Sequence, residues 1–191
     1  AMDAAGRADH QDTAMPADVG APYGCRTNVN RFTAADGALT VWVFGDIARA
    51  ERYASLCTPA MARAHRSMAL HRLDTVIGDA MLPWVLQRPR HRLAILVAPM
   101  GAPSVESGDR LAPVAVLGGG FQPGILSSPT TRRPGLISNT DIVPTVAHFL
   151  GVPAPSAVVG RPARIRHPGP IGPLEWRRWY TDWRSVSALQ K

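Results

Sequence analysis

The sequence predicts an α/β domain: a layered sheet of mainly parallel strands with flanking helices. Three observations predict it. Runs rich in β-branched and aromatic residues, each stopped by glycine or proline, recur at Leu39–Phe44, Leu93–Ala98 and Pro113–Leu117, the form of strands buried on both faces. A long stretch of helical periodicity separates the first run from the second. A short helix marked at both ends follows the third, entered through a fourth strand candidate, Gly135–Ser138. Strand, long helix, strand, strand, strand, helix is the order of layered α/β proteins.

Residues 1–22 are small, polar and punctuated by Pro and Gly, and they read as a disordered or truncated N-terminal segment. They lack the charged start and apolar stretch of a signal peptide. A short helix is expected within Tyr23–Asp36. The first strand run ends at Gly45-Asp46, which places Asp46 at a strand's carboxyl end, where open α/β sheets gather ligands. Thr58-Pro59 then pairs an N-cap residue with proline at the first helical position. Leu73, Val76, Ile77, Ala80, Met81 and Trp84 form its apolar stripe, with Arg63, Arg66 and Arg72 largely on the other side. Pro83 ends or kinks this helix.

Leu93–Ala98 closes at Pro99, and a polar loop, Met100–Arg110, leads to Pro113–Leu117. The last helix has N-cap oxygens on Asn139, Thr140 and Asp141, Pro144 in its first turn and Gly151 at its end. Val143, Val146, Ala147 and Leu150 provide its stripe. Three parts follow: 1–22 as the N-terminal segment, 23–166 as the α/β domain, and 167–191 as a basic aromatic tail joined through Pro168, Pro170 and Pro173.

Of 21 basic residues in the 191, only Lys191 is a lysine, so the formal charge of +7 reflects arginine usage as much as a polyanionic partner. From Arg161 onward the excess is +5, which leaves the body nearly neutral and argues against nucleic-acid binding. No run of about 18 apolar residues occurs to span a bilayer. Cys25 and Cys57 are too few for a disulfide framework and lack metal-ligand spacing, though they can pair in an oxidising compartment.

Gly118-Gly119-Gly120 follows a strand, but no helix begins after it, so it reads as a tight turn rather than a phosphate cradle. His65, His71 and His148 lie inside helices without a second ligand at i+4. Arg132 and Arg133, adjacent at a strand start, are candidates for forking onto phosphate or carboxylate, against the simpler role of solvated arginines.

The segment Thr140-Asp141-Ile142-Val143-Pro144-Thr145 leading to Leu150-Gly151 resembles the end of the core domain in the alkaline-phosphatase superfamily of sulfatases, phosphodiesterases and phosphomutases. The resemblance covers Ala38 to Arg161 and implies an alkaline-phosphatase-like core, partial at its N-terminal side. Catalytic members use Asp and His metal ligands and a Ser, Thr or modified Cys nucleophile. Asp46 falls on the Asp of one ligand motif, but Ala50 stands where its His belongs. Pro99-Met100-Gly101 replaces an Asp-His pair, and Arg133 replaces a third-motif His; arginine cannot be deprotonated to ligate a metal. The nucleophile segment has no counterpart.

The expectation is therefore a non-catalytic, metal-free structural or binding module, with no catalytic residue and no cofactor, within a larger envelope protein outside the cytoplasm and near the membrane. The alternative is a phosphate- or sulfate-ester hydrolase of the same superfamily, dependent on zinc, manganese or calcium, whose nucleophile comes from an upstream segment. In the tail, Trp176, Trp179, Tyr180, Trp183 and Val186 share a helical face, with Arg177, Arg178 and Arg184 mostly off it. Tryptophan beside arginine suits an anionic membrane surface; the competing expectation is that the tryptophans pack back onto the domain.

Overall fold

The structure, a computed structural model, describes residues 15–29, 37–98 and 111–188. The expected polar loop, the Pro99-Met100-Gly101 position and the end of the Tyr23–Asp36 segment lie outside these residues. The chain forms two compact units, Ala1–Trp84 and Val85–Lys191.

The first unit is helical. A 3-10 turn, Pro22–Gly24, precedes α1 (Asp46–Tyr53) and α2 (Pro59–Val76). α2 starts as its sequence requires, with the Thr58 side chain accepting from the Met61 amide and Pro59 at the first helical position. α1 packs on α2. Small residues permit a close approach, since Ala50 and Ala69 are both buried. The expected stripe on α2 is the protected one: Val76 is buried and Leu73, Ile77, Ala80, Met81 and Trp84 are half-buried between exposed neighbours. After Val76 the helix widens into a π segment, Ile77–Met81, before α3 (Leu82–Gln87), whose last three residues already belong to the second unit. Pro83 explains the widening. It cannot donate to the carbonyl four residues back and its ring crowds that carbonyl, so the extra residue of a π turn accommodates it without ending the helix.

The second unit holds two separate two-stranded pairs. β1 (Leu93–Val97) runs antiparallel to β2 (Val114–Gly118), and β3 (Gly124–Ser127) runs antiparallel to β4 (Arg164–Pro168), with an irregularity between Ile125 and Leu126. The short helix α4 (Ile142–Leu150) and the C-terminal helix α5 (Pro173–Ala188) complete it.

This architecture corrects the expected layered, mainly parallel sheet. Helix and strand are both present, but each described sheet has two strands and both pairings are antiparallel. A parallel sheet needs strands covered on both faces, whereas β1 and β2 are only half-buried along their length. Apolar runs report burial tendency, not strand direction. Leu39–Phe44 forms no strand: Leu39, Val41 and Val43 are exposed in an extended segment leading to α1. Gly135–Ser138 is likewise a turn followed by extended chain. β3 and β4 were not expected, and the charged, proline-ended Arg164–Pro168 reads as an edge strand only once its partner is known.

The Gly118-Gly119-Gly120 turn is as expected, all three residues having positive φ. At Gly118 no side chain fits, because a Cβ would lie 2.1 Å from the Arg92 carbonyl oxygen. The stripe expected on α4 is displaced. Val143 and Leu150 are exposed, and the inward face is Pro144, Thr145 and Ala147. α4 ends at Gly151 in the left-handed conformation, φ 68°.

Candidate functional site

Two buried carboxylates organise the two units. Asp46 is the first residue of α1, and 7% of its surface is exposed. Thr27 meets it from the preceding segment: its amide donates to Asp46 Oδ1 at 2.7 Å and its hydroxyl at 2.8 Å. Arg49, one turn along α1, donates to the same oxygen, and Arg72 from α2 donates to Oδ2. Arg49 Nη2 also reaches the Thr27 hydroxyl at 2.8 Å, and Arg72 Nη2 the Thr27 carbonyl at 2.9 Å. Asp46 thus ties the Thr27 segment, α1 and α2 together. Burial is the largest influence on its carboxyl and opposes ionisation, but the Thr27 hydrogen bonds, Arg49 and Arg72 together outweigh it and hold the group below the ordinary range. Arg72, expected on the outer side of its helix, instead turns inward.

Asp141 is fully buried and sits at the entrance to α4. It is the third residue of a capping box whose N-cap is Ser138: the Ser138 amide donates to Asp141 Oδ2 at 2.7 Å. Ser128 Oγ donates to the same oxygen at 2.6 Å, Thr130 Oγ1 to Oδ1 at 2.6 Å, and the Arg161 amide to Oδ1 at 2.9 Å. The segment entering β4 is pinned twice more, by the Ala163 amide donating to Thr145 Oγ1 at 2.9 Å and by Gly160, where a Cβ would lie 2.0 Å from the Thr140 carbonyl oxygen. Burial again opposes ionisation most strongly, and the hydrogen bonds from Ser128, Thr130, Arg161 and Ser138 prevail, lowering the carboxyl.

Divalent-metal chemistry at Asp46 does not fit these residues. Its oxygens face two guanidinium groups, and Ala50, one turn further along α1, is buried. Among the described residues no three His, Cys, Asp or Glu side chains converge. His65 faces the Tyr53 ring on α1 at 5.8 Å, while His71 and His148 are exposed. The Arg132 and Arg133 side chains are exposed on a turn in which Arg132 has φ 58° and its amide donates to the Ser128 carbonyl at 3.0 Å. That turn presents Ser128 and Thr130 to Asp141. Cys25 and Cys57 are free thiols.

In the tail, α5 returns to its own unit. The Trp183 ring covers Gly135 so closely that a Cβ there would lie 2.1 Å from it, and Trp179 stands edge-on to His167 at 5.6 Å. Trp176, Arg177, Arg178 and Tyr180 remain exposed. Among the described residues no helix is long and apolar enough to cross a membrane.

The functional groups that sequence reasoning missed are Thr27, Arg49, Ser128, Thr130 and Ser138. Only the Ser138-x-x-Asp141 spacing, a capping-box signature, signalled any part of either network. No family model, no curated protein and no solved structure matches this chain.

Proposed function

We propose that the chain is a non-catalytic, metal-free structural or binding module in which both buried carboxylates act as internal clasps. One observation carries this reading: neither carboxylate is placed for chemistry, since both lone pairs of each Asp141 oxygen are taken and the Asp46 oxygens are held by two guanidinium groups. A carboxylate offers about four lone-pair directions. Asp141 receives four donors, two on each oxygen, from Ser128, Thr130, Ser138 and Arg161; Asp46 receives three on Oδ1, two from Thr27 and one from Arg49, and on Oδ2 faces the Arg72 guanidinium, which repels a cation. A general base, a nucleophile or a metal ligand needs a lone pair directed at its target. The test is metal analysis by mass spectrometry together with hydrolysis assays on phosphate monoesters, phosphate diesters and sulfate esters. Absence of turnover and of stoichiometric metal is expected. Bound zinc, manganese or calcium, with turnover abolished by Asp46→Ala, overturns the reading and favours the ester hydrolase.

A second reading concerns the outer face of α5, where Leu174, Trp176 and Tyr180 are exposed beside Arg177 and Arg178. Amphipathic rings next to guanidinium groups match the headgroup layer of an anionic membrane. Because Trp179 and Trp183 are occupied within the unit, contact falls to Leu174 and Trp176. The full chain is expected to co-sediment with phosphatidylglycerol vesicles and the Leu174→Ser/Trp176→Ser variant to remain in solution; equal pelleting of the two removes the idea.

A further inference from the structure

Beside the Asp46 clasp lies a small cavity of about 50 Å³, lined among others by Cys25, Asp46, Arg49, His65, Met68 and Arg72. One water needs roughly 10–15 Å³ of such space, so the cavity exceeds a single water and is too small for a metabolite. Two nitrogen atoms of its lining residues, Arg49 Nε and His65 Nδ1, are buried and have no hydrogen-bond partner among the described residues. Buried polar groups in folded proteins are almost always paired, so each orphan marks a partner of the right chemistry. For Arg49 that partner is an acceptor, because a guanidinium only donates.

Charge decides which acceptor. Arg26, which also lines the cavity, is neutralised by Asp18. Arg49 and Arg72 share the single carboxylate of Asp46. Among the described residues one positive charge is left over in a site where the side chains of Arg49 and Arg72 are only 17% and 25% exposed. An uncompensated charge so shielded from water is costly, and a counter-ion removes that cost where a neutral water cannot.

We propose that this cavity binds one small monovalent anion, a halide or a planar oxyanion such as nitrate, formate or bicarbonate, held by Arg49 Nε and His65 Nδ1. The anion completes the clasp. Asp46 saturates one side of the two guanidiniums and the anion occupies the other, so the Thr27 segment, α1 and α2 hold together most tightly when it is bound. The proposal extends the reading of the chain as a binding module and rests on it only in taking Asp46 to be free of metal.

The experiment uses the full chain in buffer containing a chelator, with sodium gluconate keeping the ionic strength constant. Chlorine-35 NMR line width is followed as protein is titrated, with nitrate, formate or bicarbonate as competitors. Saturable broadening reversed by the competitors is expected, weakened about tenfold or more by His65→Leu, which removes one donor and leaves the Arg49–Asp46–Arg72 cluster intact. Arg49→Gln should abolish it, and circular dichroism shows whether that variant is folded. If it is not, His65→Leu alone decides. Broadening that does not saturate, or is equal in the wild type and His65→Leu, overturns the proposal and assigns the cavity to water. Metal content is measured on the same sample, so a failure of the metal-free reading is distinguishable from a failure of the anion site.

Discussion

Asp46 is held by two arginines and one threonine; Asp141 is held by two hydroxyls and two backbone amides. Both carboxylates are buried and both are ionised more readily than an ordinary aspartate, yet the means differ. At Asp141 every donor is neutral and lies on a short side chain or the backbone, so little freedom is lost when the network forms. Its place at the entrance of α4 adds the favourable field of a helix N-terminus. At Asp46 two donors sit at the ends of long side chains that carry about 2 kcal/mol of rotamer entropy each. The arginines bring more positive charge than the aspartate absorbs. A neutral cage is complete in itself and leaves nothing for a ligand, whereas a charged one leaves a remainder that a second anion can take.

The most severe way to break the comparison is Asp141→Ala. Four donors converge on a site that is fully buried, and the two backbone amides cannot turn away. Unsatisfied buried groups cost about 1–3 kcal/mol each, so a loss of about 4 kcal/mol is expected, read from chemical denaturation with the tryptophans of α5 as reporters. A loss below about 1 kcal/mol would show that water replaces the carboxylate.

Asp46→Ala should cost somewhat less, about 3 kcal/mol, because the freed arginines can partly swing to solvent. The sharper observation is rescue. Asp46→Ala/Arg72→Ala should recover part of the loss, since removing both partners of a buried pair costs less than removing one. Ser128→Ala should recover less when combined with Asp141→Ala, because the hydroxyl left behind is a neutral group and not a buried charge. Strictly additive effects at Asp46 would erase the distinction between the two clasps.

Acid acts on both. A carboxyl whose folded value is depressed contributes stability that is fully present above its unfolded value, about 3.9, and is lost as pH falls through the folded value. Stability should therefore be level above about pH 5 and drop below about pH 4, with a shallower drop in Asp46→Asn and in Asp141→Asn. Thermal unfolding measured from pH 6 to pH 2.5 checks this, and a chain that grows more stable on acidification contradicts it.

How much of this was legible in the sequence follows from the range of the interactions. Thr58-Pro59 and Gly151 mark helix ends by local backbone chemistry, and both hold. The runs around Leu93 and Val114 are strands because apolar β-branched residues fit a half-buried pleat, but their direction depends on a partner that no local pattern names. Leu39–Phe44 has the same composition and is not a strand, which shows that propensity without a ladder is insufficient. Asn139, Thr140 and Asp141 were read as N-cap candidates, but the N-cap is Ser138 and Asp141 closes the box from the third helical position. Its other partners, Ser128, Thr130 and Arg161, stand 13, 11 and 20 residues distant and left no signature. Asp46 was singled out by its place after an apolar run, yet Thr27 and Arg72 lie 19 and 26 residues from it, and only the fold reveals their convergence.

The smallest expected effect separates the clasps by a single hydroxyl. Thr130 Oγ1 donates to Asp141 Oδ1 and leaves that oxygen the Arg161 amide as a second donor. Thr130→Val keeps the shape and removes one hydrogen bond to an ionised carboxylate, which costs about 1.5 kcal/mol. Thr27→Val is the same chemical change in a different setting. Its hydroxyl donates to Asp46 Oδ1 and accepts from the Gly45 amide at 3.1 Å and from Arg49 Nη2, so its removal strips a donor from the carboxylate and an acceptor from each of the other two. A cost of about 2.5 kcal/mol is expected, because the same bond to a carboxylate is lost and the Gly45 amide is left unpaired as well, while Arg49 Nη2 keeps Asp46 Oδ1. Side-by-side urea denaturation of the two variants measures the difference. Equal losses would mean that the Gly45 amide finds another acceptor when the Thr27 hydroxyl is gone.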